Sequence, residues 1–105
     1  MDNWKPANWK RDWTFTPAPF AVFVHTPLCG TCAVAKRMLT VVEQMQVEIP
    51  IFTANLNVMP SMAQHFQIES VPCLLMKRRD GSWSKLYRFS SVPDIIAYLE
   101  QERGV

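Results

Sequence analysis

A buried strand that runs straight into two closely spaced cysteines constrains this chain more than any other feature. Phe20-Ala21-Val22-Phe23-Val24 is an unbroken apolar run of β-forming residues, the pattern of a strand covered on both faces of a sheet. Pro27 and Gly30 punctuate its end, and Cys29-Gly30-Thr31-Cys32 follows directly. Beyond Cys29, the positions Val34, Met38, Leu39, Val42 and Met45 recur at three- and four-residue steps, while Lys36, Arg37, Glu43 and Gln44 fall on the other side. That spacing predicts an amphipathic helix of about four turns. Ile49 to Ala54 reads as a second strand, and the intervening helix makes the pair a right-handed parallel βαβ unit.

The second half of the chain has a different rhythm. Pro60 with Ser61 to Phe66 suggests a short helix, proline lying at or near its first turn. Pro72 precedes a third strand, Cys73 to Lys77; Arg79-Asp80-Gly81-Ser82 signals a tight turn, and Trp83 to Phe89 is its hairpin partner. Ser91 is a plausible N-cap and Pro93 a first-turn residue, with Ile95, Ile96 and Leu99 as the apolar face of a closing helix. The order is therefore βαβ, a short helix, then ββα. Residues 1–19 form an aromatic, proline-broken extension in which Ala7 to Trp13 has room for a helical turn or two, placing Trp9 and Trp13 on one face.

A chain of 105 residues suits one domain, here 1–105 with the extension packed upon it. With 49% hydrophobic residues it can bury enough apolar surface to fold. Eleven Lys and Arg against nine Asp and Glu leave a net charge of +2, too balanced for a nucleic-acid or acidic-lipid partner. No window is long and apolar enough to span a membrane, and the N-terminus lacks the apolar core of a secretory signal. The expected setting is cytoplasmic and monomeric. Three cysteines cannot all pair within the chain, which argues against a secreted disulfide scaffold.

The two cysteines at the strand-to-helix junction are suited to redox work. Cys29 should lie beside the unpaired backbone N–H groups at the helix start, where those donors and the helix dipole favour a thiolate. Only the thiolate attacks a disulfide, and such settings lower a cysteine pKa from about 8.5 to roughly 3.5–7.5. Cys29 is therefore the expected nucleophile. Cys32, about one helical turn on, is placed to resolve the mixed disulfide. A structural zinc half-site or two idle core thiols also produce C-x-x-C. The zinc reading lacks a second ligand pair, since Cys73, His25 and His65 stand at no metal-binding spacing.

From about Phe20 to Glu102 the chain resembles thioredoxin: an apolar strand ending in Cys-Gly-Thr-Cys, Val71-Pro72 before a further apolar strand, Asp80-Gly81 in a hairpin, and a terminal helix. The resemblance implies an α/β thioredoxin fold, a mixed central sheet with helices on both faces. It also implies a cis peptide bond before Pro72, packed against the dithiol, and a Val71 backbone that pairs with an extended substrate segment. The implied activity is protein-disulfide reduction without a cofactor or resident metal, on protein or small-thiol disulfides, with a separate electron donor. Leu28, Gly30, Thr31, Val71 and Pro72 are the expected substrate contacts.

The departures from that family fall around the two sulfurs. Phe23 stands where a buried aspartate usually aids proton transfer at the resolving thiol. His25 replaces one active-site tryptophan, either as a titrating group that favours the thiolate when protonated or as a partly exposed residue at the strand end. Leu28 replaces the other tryptophan, and Thr31 replaces the proline between the cysteines. Cys73 follows Pro72 where threonine is usual, at a position expected near the dithiol. It admits three readings: a small buried side chain, a partner for Cys29 or Cys32 under oxidation, or one of three thiolates holding a soft metal or an iron–sulfur cluster. The last belongs to an alternative in which the fold serves as a redox-weak adaptor or metal-binding domain.

Two charged features are assigned to structure. The tryptophans interleaved with Lys5, Lys10 and Arg11 resemble a base-stacking surface, yet covering a sheet edge or core face is the simpler role. Lys77-Arg78-Arg79 reads as a solvated hairpin tip.

Overall fold

In the computed structural model, which describes residues 1–5, 9–45 and 47–103 apart from the side chain of Asp12, nine elements follow one another. They are β1 (Asp2–Asn3), α1 (Trp9–Phe15), β2 (Phe20–His25), α2 (Gly30–Gln44), β3 (Ile51–Asn55), α3 (Ser61–His65), β4 (Cys73–Lys77), β5 (Trp83–Leu86) and α4 (Val92–Glu102). The five strands make one mixed sheet in the order β1-β3-β2-β4-β5. β2 and β3 run parallel on either side of α2, as the βαβ reading requires, and β4 and β5 form the antiparallel hairpin.

The alternation of β2 divides the interior into two cores. Ala21 and Phe23 point toward α2 and α4, joining Cys32, Ala35, Leu39, Val42, Ile95 and Leu99. Phe20, Val22 and Val24 point the other way, into a core closed by Trp9 and Trp13 of α1 and Met62 of α3. Helices thus cover both faces. Trp13 stacks on Trp83 with ring centroids 3.7 Å apart, and Trp4 meets Trp13 edge-on at 5.1 Å. Each ring of this kind buries roughly 150–250 Å², an apolar transfer of about 4–6 kcal/mol at the upper bound. The aromatic extension is one wall of the second core.

Several boundaries differ from the sequence reading. β1 was not expected: its two residues pair parallel with β3, where the hydroxyl of buried Thr53 donates to the Asn3 side chain. So short a segment has no period to betray it. The helix expected from Ala7 to Trp13 runs from Trp9 to Phe15, and Ala7 and Asn8 lie outside the described residues. β3 begins at Ile51, although Ile49 is buried, and β5 stops at Leu86 before Tyr87–Phe89.

The apolar face of α2 matches the expected one at Met38, Leu39 and Val42 and departs from it at two positions. Its buried residues are Cys32, Ala35, Leu39 and Val42, whereas Val34 and Met45 are exposed. The stripe starts from Cys32 because that sulfur is inside, and steps of three, four and three then fix the rest. Arg78 is likewise no simple solvated charge, since its Nε donates to Glu102 at 2.7 Å and ties the hairpin to α4. α4 itself begins as expected. Ser91 Oγ accepts from the Asp94 N–H at 3.2 Å, and Pro93 occupies the first turn.

Candidate active site

The register brings the segments that carry the expected functional residues to one end of the sheet. β2 ends at His25 beside Asn55 of β3, while antiparallel β4 begins at Cys73 opposite Val24. The loop into α2 and the Val71–Pro72 segment therefore leave the sheet at the same end. The Val71–Pro72 peptide is cis, and Val71 and Cys29 both pack against the α2/α4 core.

Cys29 is the N-cap of α2, in extended conformation with φ −106° and ψ 107°. Its Sγ accepts from the Cys32 backbone N–H at 3.1 Å and lies 3.4 Å from Thr31 Oγ1. A sulfur in the N-cap position thus uses a helix-start donor that Ser or Asp uses elsewhere. The Cys29 and Cys32 sulfurs are joined in a disulfide, their Cα atoms 5.1 Å apart. Cys29 is half-buried and Cys32 is only 3% exposed, so Cys29 is the more accessible of the two from solvent.

Around this pair the side chains are disposed unequally. Leu28 is fully exposed and adopts φ 61°, turning the chain so that Cys29 can cap the helix. Gly30 is the exposed first residue of α2, where an added Cβ would meet nothing within 4 Å. Beside the sulfurs lies a cavity of about 180 Å³, bounded by Phe23, His25, Cys29, Cys32 and Lys36 with Leu28 at its rim. A larger hollow of about 370 Å³ lies at the far end of α2, around Glu43, Glu48 and Pro50, and contains no cysteine.

Lys36 is the residue that sequence reasoning missed. It is exposed, as the solvent side of α2 predicts, and it also borders the dithiol cavity; its spacing of four from Cys32 is the signal that would have placed it there. The His25 ring stacks on Phe23, centroids 5.5 Å apart and planes 17° apart. Burial, then the nearby Lys36 charge, hold its pKa below the ordinary 6.5. At neutral pH the imidazole is therefore uncharged, and the cationic role expected for it is confined to acid conditions.

Of the three readings of Cys73, the structure bears out the first: it is a small buried side chain at the start of β4, on the other face of the sheet from the dithiol's core. Adjacent side chains of a strand point to opposite faces, so Leu74 joins the dithiol's core while Cys73 belongs to the tryptophan core. It is fully buried there, and burial pushes its thiol up to about 12 against the opposing influences of Lys85 and Tyr87. The three sulfurs do not form one ligand set. Among the described residues, no group of three or more His, Cys, Asp or Glu side chains is arranged to hold a metal ion. No described helix is long and apolar enough to cross a membrane.

No protein-family model matches the chain. The thioredoxin-like protein YusE of Bacillus subtilis (strain 168) is 36% identical over 83 residues, spanning 79% of this chain and 78% of its own. Chloroplastic thioredoxin z superposes with a TM-score of 0.81 at 15% identity, over 96% of this chain and 92% of that one. Oxidized mitochondrial thioredoxin 3 from Saccharomyces cerevisiae gives 0.80 at 13% identity, over 96% and 94%. The structural likenesses establish the thioredoxin fold, and the match to YusE extends it to descent: this chain belongs to the thioredoxin-like proteins.

Proposed function

We propose that the protein is a thiol–disulfide oxidoreductase acting as a disulfide reductase in the cytosol. The observation that carries this reading is the half-buried Cys29 sulfur capping α2, within 3.1 Å of the Cys32 N–H and one turn from a buried partner thiol. A thioredoxin-like fold with a close cysteine pair supports such exchange in general. Disulfide-containing proteins and small-thiol disulfides are the proposed substrates.

In the reduced protein the Cys29 thiolate attacks one sulfur of the substrate disulfide. A new bond forms from Cys29 to that sulfur, and the other substrate sulfur leaves as a thiolate and takes up a proton. Cys32 then loses its proton and attacks Cys29. The Cys29–Cys32 bond forms, the mixed disulfide breaks, and the second substrate thiol departs. Two electrons have moved from the dithiol to the substrate, and a separate dithiol donor restores Cys29 and Cys32. Leu28, Thr31 and the Val71–Pro72 segment are the proposed borders of the substrate groove.

The test is a disulfide-reduction assay with single-cysteine variants. Cys29→Ser is expected to abolish turnover, and Cys32→Ser to accumulate a mixed disulfide on Cys29 that mass spectrometry detects. Full turnover in Cys29→Ser overturns the mechanism, and ligand binding without exchange by the unmodified protein overturns the activity.

A further inference from the structure

Phe23 leaves the dithiol cavity without a carboxylate, yet the resolving step must take a proton from a thiol that is 3% exposed. We infer that His25 is the proton acceptor for Cys32, serving the resolving step through the cavity it shares with both cysteines. This assignment rests on the dithiol exchange proposed above.

The geometry begins with strand alternation. Ala21, Phe23 and His25 occupy one face of β2, the face that looks onto the start of α2. The end of the strand is held by the Leu56 N–H, which donates to the His25 carbonyl at 2.8 Å. The ring itself lies against Phe23 with planes 17° apart, so its orientation is set by a fully buried neighbour. His25, Cys29 and Cys32 all line the same cavity of about 180 Å³. Water takes up about 30 Å³ per molecule, so the cavity has room for a water that carries the proton between them.

The charges around the ring favour the acceptor form. Lys36 is the cation facing the cavity from α2, the cysteines are the other titrating groups there, and β3 offers neutral Asn55 beside the strand end. Among the described residues no acid borders the cavity. Burial and Lys36 keep the imidazole neutral near pH 7, ready to accept. Once protonated it faces a like charge, which favours passing the proton on to the substrate thiolate leaving Cys29. The transfer thus balances: Cys32–H to imidazole, imidazolium to leaving sulfur, with the Cys29–Cys32 bond formed as the mixed disulfide breaks.

Reduced protein mixed with the chromogenic aryl disulfide dithiobis(nitrobenzoate) releases thionitrobenzoate in two bursts. The first reports attack by Cys29 and the second resolution by Cys32. In His25→Gln the second burst is expected to slow about 10- to 100-fold at pH 7, with the first changed by less than about twofold, because a positioned base supplies at least this much. The wild-type second burst should rise with pH through a midpoint below the ordinary histidine value of about 6.5, and that of the variant through thiol ionisation near about 8.5. The wild-type profile needs no substitution, so it decides the matter even where the variant folds poorly: a midpoint near the thiol value overturns the assignment. A normal first burst with a second burst indifferent to His25→Gln overturns it too. A wild type with no first burst overturns the exchange reading, and this assignment with it.

Discussion

The backbone N–H of Cys32 points at the sulfur of Cys29 from 3.1 Å, so the two cysteines are related as helix donor and helix cap as well as disulfide partners. The asymmetry follows from chain direction. Cys29 stands outside the first turn, where N–H groups lack intrahelical acceptors, and Cys32 stands inside it with its sulfur in the core. A negative charge on the first sulfur is stabilised by those donors and the dipole, while one on the second would be buried. The strand-to-helix junction thus supplies a physical basis for the proposed division into attacking and resolving thiol.

Thr31 adds a side-chain donor to the same sulfur, its Oγ1 lying 3.4 Å from Cys29 Sγ. In the reduced protein a hydroxyl there can donate to the thiolate, and bonds to charged groups are worth about 1.5–3 kcal/mol when well formed. Because the contact is solvent-exposed, the lower end applies. Thr31→Val keeps the shape, removes the donor, and should raise the Cys29 thiol pKa by about one unit. Ultraviolet thiolate absorbance followed against pH measures it; an unchanged titration shows that the hydroxyl does not serve the sulfur.

Leu28 separates stability from function at a single position. Its φ of 61° lies in the left-handed region, which costs an ordinary side chain about 1–2 kcal/mol and asparagine less. Because the side chain is fully exposed, replacing it forfeits no burial. Leu28→Asn is expected to raise unfolding free energy by up to about 1 kcal/mol. If the exposed leucine contacts substrate, the same variant reduces a protein disulfide several-fold more slowly while reducing a small disulfide at the normal rate. Urea titration and the two assays check both halves, and a fall in stability contradicts the strain argument.

How much of this was legible beforehand depends on how locally it is encoded. The apolar run Phe20–Val24, the Cys29–Cys32 spacing and the Ser91–Pro93 helix start are local patterns, and each appears in the structure where expected. Facing directions were less legible. Val34 and Met45 fit the apolar period as well as Ala35 does, and only the inward sulfur of Cys32 sets the rotation of α2. The same rotation brings Lys36 to the cavity. For Cys73 the buried strand start was legible, but proximity along the chain to Pro72 says nothing about which face of β4 a side chain takes, so its separation from the dithiol's core was not.

That placement of Cys73 has a measurable consequence at alkaline pH. Its folded thiol is pushed from an ordinary 9.0 up to about 12 by burial. Below pH 9 the thiol is protonated in both states and contributes no slope. Between about pH 9 and 12 the unfolded chain sheds the proton while the folded chain keeps it, so the folded state binds more protons and stability falls as pH rises. The fall approaches about 1.4 kcal/mol per pH unit for this one group. Cys73→Ala leaves a small void and should be about 1 kcal/mol less stable at pH 7, yet its stability should decline less steeply above pH 9. Tyr98, also raised to about 12 by burial, titrates in the same region, and because the Cys73 charge is one of the influences that raise it, the difference in slope between the two proteins reads Cys73 together with its effect on Tyr98. Urea titrations of the two proteins across this range test it. Parallel curves would mean that the thiol ionises as readily folded as unfolded, and so that it is not sealed beneath the tryptophans.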